Sequence, residues 1–242
     1  MPRPVNPLEV GRKWNVLARY VVAALLLLVI AVVTFQAFVW PYPWALVTPF
    51  EPVWQQECSR LYGAMESFRE KFDETPPNFD DMDRVARFVE RVFPEYKPGV
   101  SAPYPRDLDA AEALVFWLGG ISTEPADPFA PEAKERHKFY EFRPSGLHDG
   151  RYYPRGIDDT QPFVYFAHTS YATEEYEGFR PYVRSQRGRE KEYCAPETAQ
   201  IIAPGRDGKL GRGGLITKLS EEDRDNVVSF DTRRVGDIGV EE

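Results

Sequence analysis

The chain has 242 residues, 43% hydrophobic and 28% charged, which excludes a disordered polymer and leaves room for one sizeable domain with appendages. Its 22 prolines, 13 tyrosines and 16 phenylalanines favour a loop-rich fold with a few strands over a helical bundle. The net charge of −8 divides into +3 on residues 1–19, none on residues 20–50 and −11 on the remainder; so acidic a body repels phosphates and argues against nucleic acid as a partner.

Residues 1–19 form a basic leader, with Arg3, Arg12, Lys13 and Arg19 against Glu9. Residues 20–40 read YVVAALLLLVIAVVTFQAFVW, and only Thr34 and Gln36 interrupt the apolar run. As a helix at about 1.5 Å per residue it spans roughly 30 Å, the thickness of the hydrocarbon layer. Basic residues precede it, and Trp40, Tyr42 and Trp44 mark its far end. That asymmetry places the N-terminus in the cytoplasm and the bulk of the chain outside. A cleaved signal peptide would have a shorter core ending in a small-x-small site. Here the run ends in Phe38, Val39, Trp40 and Pro41, so a retained anchor in the lipid bilayer is expected. The expected location is the cytoplasmic (inner) membrane, crossed once, with a periplasmic or other extracytoplasmic domain over residues 41–232 and a tail at 233–242.

After a proline-rich juncture, Val53, Trp54, Cys58, Leu61, Tyr62, Met65, Phe68 and Phe72 recur at spacings of three and four. The period predicts a helix over 53–72, halted before Thr75-Pro76-Pro77. Val85, Phe88, Val89 and Val92 predict a second helix over 81–93. DAAEALVFWLGG predicts a third over 109–120, with Asp109 and Glu112 placed for a capping box and Gly119-Gly120 as the stop. Further on, KFYEF (138–142), PFVYFAH (162–168), TAQIIA (198–203) and NVVSF (226–230) read as short strands. The fold class is therefore α+β: helices first, then a small antiparallel sheet with long loops. RSQRGREK (184–191) reads as a solvated basic loop, with an acidic docking partner as the minority reading. Asp158-Asp159 reads as a solvated turn. Cys58 and Cys194 are compatible with a bridge or with two buried thiols.

The most unusual stretch is QIIAPGRDGKLG at 200–211, followed a dozen residues later by EEDRDN at 221–226. Asp207 follows a predicted strand, glycines at 208, 211, 213 and 214 free the chain to fold back, and Asp223, Asp225 and Asn226 arrive next. Hard cations such as calcium take six to eight oxygens from carboxylates, amides and carbonyls. A loop over 203–226 offers that donor set, although Asp-Gly and Asp-Asn are also ordinary turn residues and the spacing is not that of an EF-hand.

Five stretches together resemble the type II secretion pseudopilins, the major pseudopilin most of all: the leading apolar helix, RLYGAMESFREKFDETPP (60–77), AEALVFWLGG (111–120), PFVYFAH (162–168), and AQIIAPGRDGKLG with DRDNVVSF (199–211 and 223–230). The resemblance implies a pilin-like fold, in which a transmembrane and stem helix packs on a small antiparallel sheet. It also implies a calcium ion held by Asp207, Asp223 and Asp225, with Asn226 and the carbonyls of Ile202 or Leu210. The implied partners are other pseudopilin-like subunits or secretion-apparatus proteins. The N-terminus departs from the family, because Gly11 is followed by RKWNVL, without the family's phenylalanine next or a glutamate at the fifth position. Processing and polymerisation therefore lack their sequence marks.

Three functions are in play. The first is a pseudopilin-like structural component and not an enzyme. The second is an anchored binding or scaffold protein with a pilin-like head that does not polymerise. The third is a tethered hydrolase, for which the sequence offers neither an H-E-x-x-H nor a G-x-S-x-G motif.

Overall fold

A computed structural model describes residues 50–157 and 159–238. The chain divides into two units at Pro49/Phe50, and the architecture below is that of the second. The expected membrane span at 20–40 lies outside the described residues. Among those described, no helix is long and apolar enough to cross a membrane.

The long helix α1 runs from Phe50 to Phe72. Pro52 sits in its first turn, where a missing N–H costs nothing. Asp73 ends the helix in a left-handed conformation (φ 57°), ahead of Pro76-Pro77. Most of the predicted stripe is buried: Trp54, Cys58, Leu61, Met65 and Phe68 are all at most 2% exposed, Tyr62 and Phe72 are partly buried, and Val53 is exposed. Helix α2, Met82–Val92, starts at Asp81, whose side chain accepts from the N–H groups of Asp83 and Arg84. Helix α3, Ala110–Leu118, starts with the expected capping box of Asp109 and Glu112 and stops at Gly119.

The centre is an antiparallel sheet of β5 (Val164–Ala167), β8 (Ala199–Ala203) and β10 (Val227–Val228), in the order β10-β8-β5. Both of its faces are buried. Tyr165, Ala167, Ile201, Ala203 and Val227 face a core with α1, α2 and most of α3. Val164, Phe166, Ile202 and Val228 face a second core. This is the period-2 alternation of a pleated strand with apolar residues on both sides. The second core is covered by a sheet of β6 (Arg180–Arg187), β7 (Glu190–Tyr193) and β9 (Gly213–Leu215). There β6 pairs antiparallel with β7 and parallel with β9. The molecule is thus mixed α+β with small, mainly antiparallel sheets, layered as helices, sheet, sheet. Two minor ladders, β1 (Ile121–Ser122) with β2 (Arg136–His137) and β3 (Leu147–His148) with β4 (Arg151–Tyr152), decorate the connections.

Side chains stitch these layers together. The Gln55 amide donates to the carbonyls of Val228 and Asp231, and the Trp54 indole donates to Arg155 O at 2.9 Å. Asn78 is fully buried; it donates to Tyr165 O and accepts from Ala167 N, both at 2.7 Å. It thereby completes the free edge of β5, where unpaired backbone groups would otherwise be buried at a cost of about 1–3 kcal/mol each.

The structure differs from the sequence reading in two places and decides two points that the sequence left open. KFYEF is not a strand; it is an irregular segment in which the N–H groups of Phe139 and Tyr140 both reach Leu118 O, and its rings pack on Phe68, Phe72 and Tyr152. RSQRGREK is not a loop but the tip of the β6–β7 hairpin, turning at Gly188-Arg189. The tail is tied down at its start: a short helix α4, Val235–Ile238, buries Val235, and Val227 bridges to Arg234. Cys58 and Cys194 are both buried, free thiols. Burial pushes both thiols up, Cys194 to about 11.

Two substitutions test the role of α1. Phe68 lies in ring contact with Phe72, Phe88, Trp117 and Phe139. Phe68→Ala should cost about 3–5 kcal/mol in a denaturant melt. Gly63 is exposed in the same helix, and a Cβ there would meet nothing within 4 Å. Gly63→Ala should therefore stabilise by about 0.5–1 kcal/mol; a loss would show that the outer face of the helix is already packed.

Candidate functional site

The two acidic bends, 205–213 and 220–226, meet at one end of the β5–β8–β10 sheet. Strand β8 leads into the first through Pro204-Gly205, and β10 leaves the second, so the antiparallel pairing of Val227 with Ala203 brings them together. Three side chains fix the contact. Asn226 accepts from Gly205 N at 3.1 Å and donates to Leu210 O at 2.7 Å and to the Tyr182 hydroxyl at 2.8 Å. Asp225 accepts from Arg206 N through Oδ2 at 2.6 Å. Its carboxyl group lies where a side chain on residue 205 would sit, since a Cβ on Gly205 would be 2.1 Å from Asp225 Cγ. Only glycine admits it.

Asp223 is the hub. It is fully buried, yet both oxygens are occupied. Oδ1 accepts from Gly213 N (2.8 Å), Arg212 N (3.2 Å) and the Tyr182 hydroxyl (3.3 Å). Oδ2 accepts from Ser220 N (2.9 Å) and Ser220 Oγ (2.6 Å). Five donors around one carboxylate offset its desolvation. The hub pins the start of β9 and the turn at Ser220 to each other and to β6. Burial raises the Tyr182 hydroxyl well above its usual range, and the adjacent Asp223 charge adds to this, so the hydroxyl stays a donor.

Asp207 is exposed and caps its own turn, accepting from Lys209 N at 2.8 Å. Its carboxyl is held above the ordinary range, first by partial burial and then by the charges of Asp225 and Glu222, against the Lys209 N–H and ammonium. The charges of Asp225 and Glu222 thus both act on Asp207. One atom among these groups stands out: Asp225 Oδ1 is buried, and among the described residues no donor reaches it. A buried carboxylate oxygen without a donor is an atom whose charge a hard cation would balance.

The predicted set thus separates by role. Asp225 Oδ1 is buried without a donor, and the exposed Asp207 accepts only from Lys209 N among the described residues. Asp223 and Asn226 are committed to hydrogen bonds that build the bends, and Leu210 O is taken by Asn226. A ligand role for Asp223 would require it to give up donors it already has. Among the described residues, no group of three or more His, Cys, Asp or Glu is arranged to hold a metal ion.

The histidines form no constellation with a nucleophile. His168 Nδ1 contacts Thr198 O, His148 Nε2 contacts Ser145 O, and His137 stacks edge-on against Phe139. A separate cluster went unnoticed in the sequence: Glu57 of α1 accepts from the hydroxyls of both Tyr140 and Tyr152, and Arg143 donates to Tyr152. It ties α1 to the irregular aromatic segment. Set against known protein families, curated proteins and solved structures, the chain gives no match in any of the three.

Removing the Asp223 carboxylate strands several buried N–H groups. Asp223→Ala should lower stability by at least about 3 kcal/mol with no cation present. Asp207→Ala, at an exposed turn, should stay within about 0.5 kcal/mol under the same conditions. Equal losses in paired chemical melts would contradict the division of roles.

Proposed function

We propose that this chain is a membrane-anchored, pseudopilin-like structural component of a type II secretion-type apparatus and not an enzyme. The observation that carries the reading is the convergence of the two acidic bends: Asp225 on Arg206 N, Asn226 on Gly205 N and Asp223 on Gly213 N. They close the head at the end of a sheet whose opposite face is covered by a long stem helix. A helix leading into an antiparallel sheet, with an acidic loop closing the last strands, is the arrangement a pilin-like head requires.

In this reading a calcium ion bound at the bends would take Asp225 and Asp207 as carboxylate ligands, with Glu222 adding charge. It would supply the counter-charge that the buried Asp225 Oδ1 lacks. Asp223 and Asn226 build the frame that presents those oxygens. The partners are other pseudopilin-like subunits or proteins of the secretion apparatus, and the anchor at 20–40 lies in the inner membrane with the head on the periplasmic side.

A second reading, an anchored scaffold with a pilin-like head that does not polymerise, is favoured by one specific observation. Gly11 is followed by RKWNVL, with no glutamate at the fifth position, and a buried carboxylate is what would pair with a neighbouring subunit inside the membrane. The size of the mature N-terminus separates the two readings, since cleavage after Gly11 removes 11 residues.

Calcium should raise the thermal midpoint of the detergent-solubilised chain, stabilising it by about 2.7 kcal/mol at a hundred times the dissociation constant. Chelator should reverse the shift, and Asp225→Ala and Asp207→Ala should each abolish it. Identical melts with calcium and with chelator would reject the cation and with it the main support for the family reading.

A further inference from the structure

The segment from His168 to Phe179 leads from β5 into β6 across the N-terminal end of α2. Asp80 straps it there: its carboxylate accepts from the hydroxyls of Ser170 and Thr173. Arg84 donates to Asp80 at 3.1 Å and to Ser170 Oγ at 2.7 Å. Within the strap, Glu174 is only 8% exposed. Among the described residues no donor reaches its carboxyl group.

The charges that act on it most are mostly of its own sign. Asp80 acts on it from just before α2, Asp109 from the N-cap of α3 and Glu175 from its own segment, against Arg84, and Lys191 of β7 and Arg180 of β6 line the same cavity. The nearby arginines are already engaged. Arg84 serves Asp80 and Asp81, Arg151 of β4 serves Asp109 at 2.6 Å and Glu112 at 3.4 Å, and Arg180 pairs with Glu175. A largely buried carboxyl with carboxylates on two sides favours the neutral acid there. The same segment buries Tyr171, Tyr176 and Phe179 in the second core.

We propose that residues 168–179 are a proton-held latch: the segment closes on the ends of α2 and α3 with Glu174 neutral, and rising pH opens it and uncovers Tyr171, Tyr176 and Phe179. Burial first, then Asp80 and Asp109, raise the Glu174 carboxyl from its ordinary 4.5 to about 8 in the closed state. The closed form therefore holds a proton that the open form releases near its ordinary value. The latch is fully secured below that value and loses its hold as pH rises towards about 8, levelling off above it. This inference does not depend on the secretion reading, because it invokes neither calcium nor a partner subunit.

The test is amide hydrogen exchange on the detergent-solubilised chain at several pH values between 5 and 9, corrected for intrinsic exchange rates. Opening of residues 171–176 should increase by up to about tenfold per pH unit between 5 and 8, while β5 and β8 stay protected. In Glu174→Gln, which is neutral throughout, that dependence should vanish. A parent protein whose strap shows no pH dependence in this window overturns the proposal, as does a variant that keeps it. If the variant does not fold, carboxyl-carbon NMR of Glu174 in the parent decides: a midpoint near 8 supports the latch, and one in the ordinary carboxylate range sinks it.

Discussion

The constraint on which the rest of the structure depends is that the three-stranded sheet β5–β8–β10 is buried on both faces. Its strands are two to five residues long, too short to be stable alone. Each face must be covered by a separate layer, and the two layers must be held to the sheet and to each other. Helix α1 does this on one side with an apolar stripe and with polar stitches from Trp54 and Gln55. The β6–β7–β9 sheet does it on the other, where apolar contact is thinner and a polar network takes over. Gln200 is the bridge. It lies fully buried on β8, accepts from Tyr182 N at 2.7 Å and donates to the carbonyls of Tyr182 and Cys194. A buried glutamine satisfied at every contact fixes the register of two sheets in a way that apolar packing alone does not.

The Asp223 hub follows from the same need. Strand β9 pairs in parallel with β6, and a parallel pair requires a crossover rather than a tight turn. A three-residue strand with two glycines contributes little packing of its own. Gly213 brings its backbone so close to Arg180 that a Cβ there would lie 1.8 Å from the Arg180 carbonyl oxygen. That closeness gives β9 its place, and the Asp223 carboxylate keeps it there by taking the N–H groups at its start. The acidic bends are therefore first of all a structural joint between two sheets. Whatever a cation adds at Asp225 and Asp207 is added to a joint already built.

Much of this was legible in the residues, and the reasons for the rest are physical. The three helices declared themselves through period and caps because each buries one stripe and exposes another. β5 and β8 declared themselves as short apolar runs between turn residues. KFYEF misled because its aromatic alternation copies a strand, although its backbone has Leu118 O rather than a ladder as partner. The β6–β7 hairpin hid for the opposite reason. Only Pro181, Tyr182 and Val183 of β6 are buried, and the rest of both strands is mostly charged or polar; the two-residue Gly188-Arg189 turn between them was the available signal. In the acidic loop the approach of the bends was readable from glycines and aspartates. The difference in role between Asp223 and Asp225, two residues apart and identical in type, was not, because it is set by which backbone N–H groups tertiary folding brings to each.

Glu174 makes the same point more sharply. In the sequence it is one of a pair of adjacent glutamates, and nothing local distinguishes it from Glu175. Folding places Glu175 beside Arg180 and Glu174 among carboxylates, so neighbours of one residue type acquire opposite electrostatics. The acidic excess of the chain is thus unevenly used. Some carboxylates cap helices, as Asp81 and Asp109 do, where the N–H donors of the first turn favour negative charge. Asp223 is buried with a full set of donors and serves as a joint. Glu174 is buried without them, and a group in that position makes the stability of its surroundings a function of pH. The contrast between Asp223 and Glu174 shows that for a buried carboxyl group it is the count of directed donors, rather than burial itself, that decides whether it holds the fold together or makes part of it responsive.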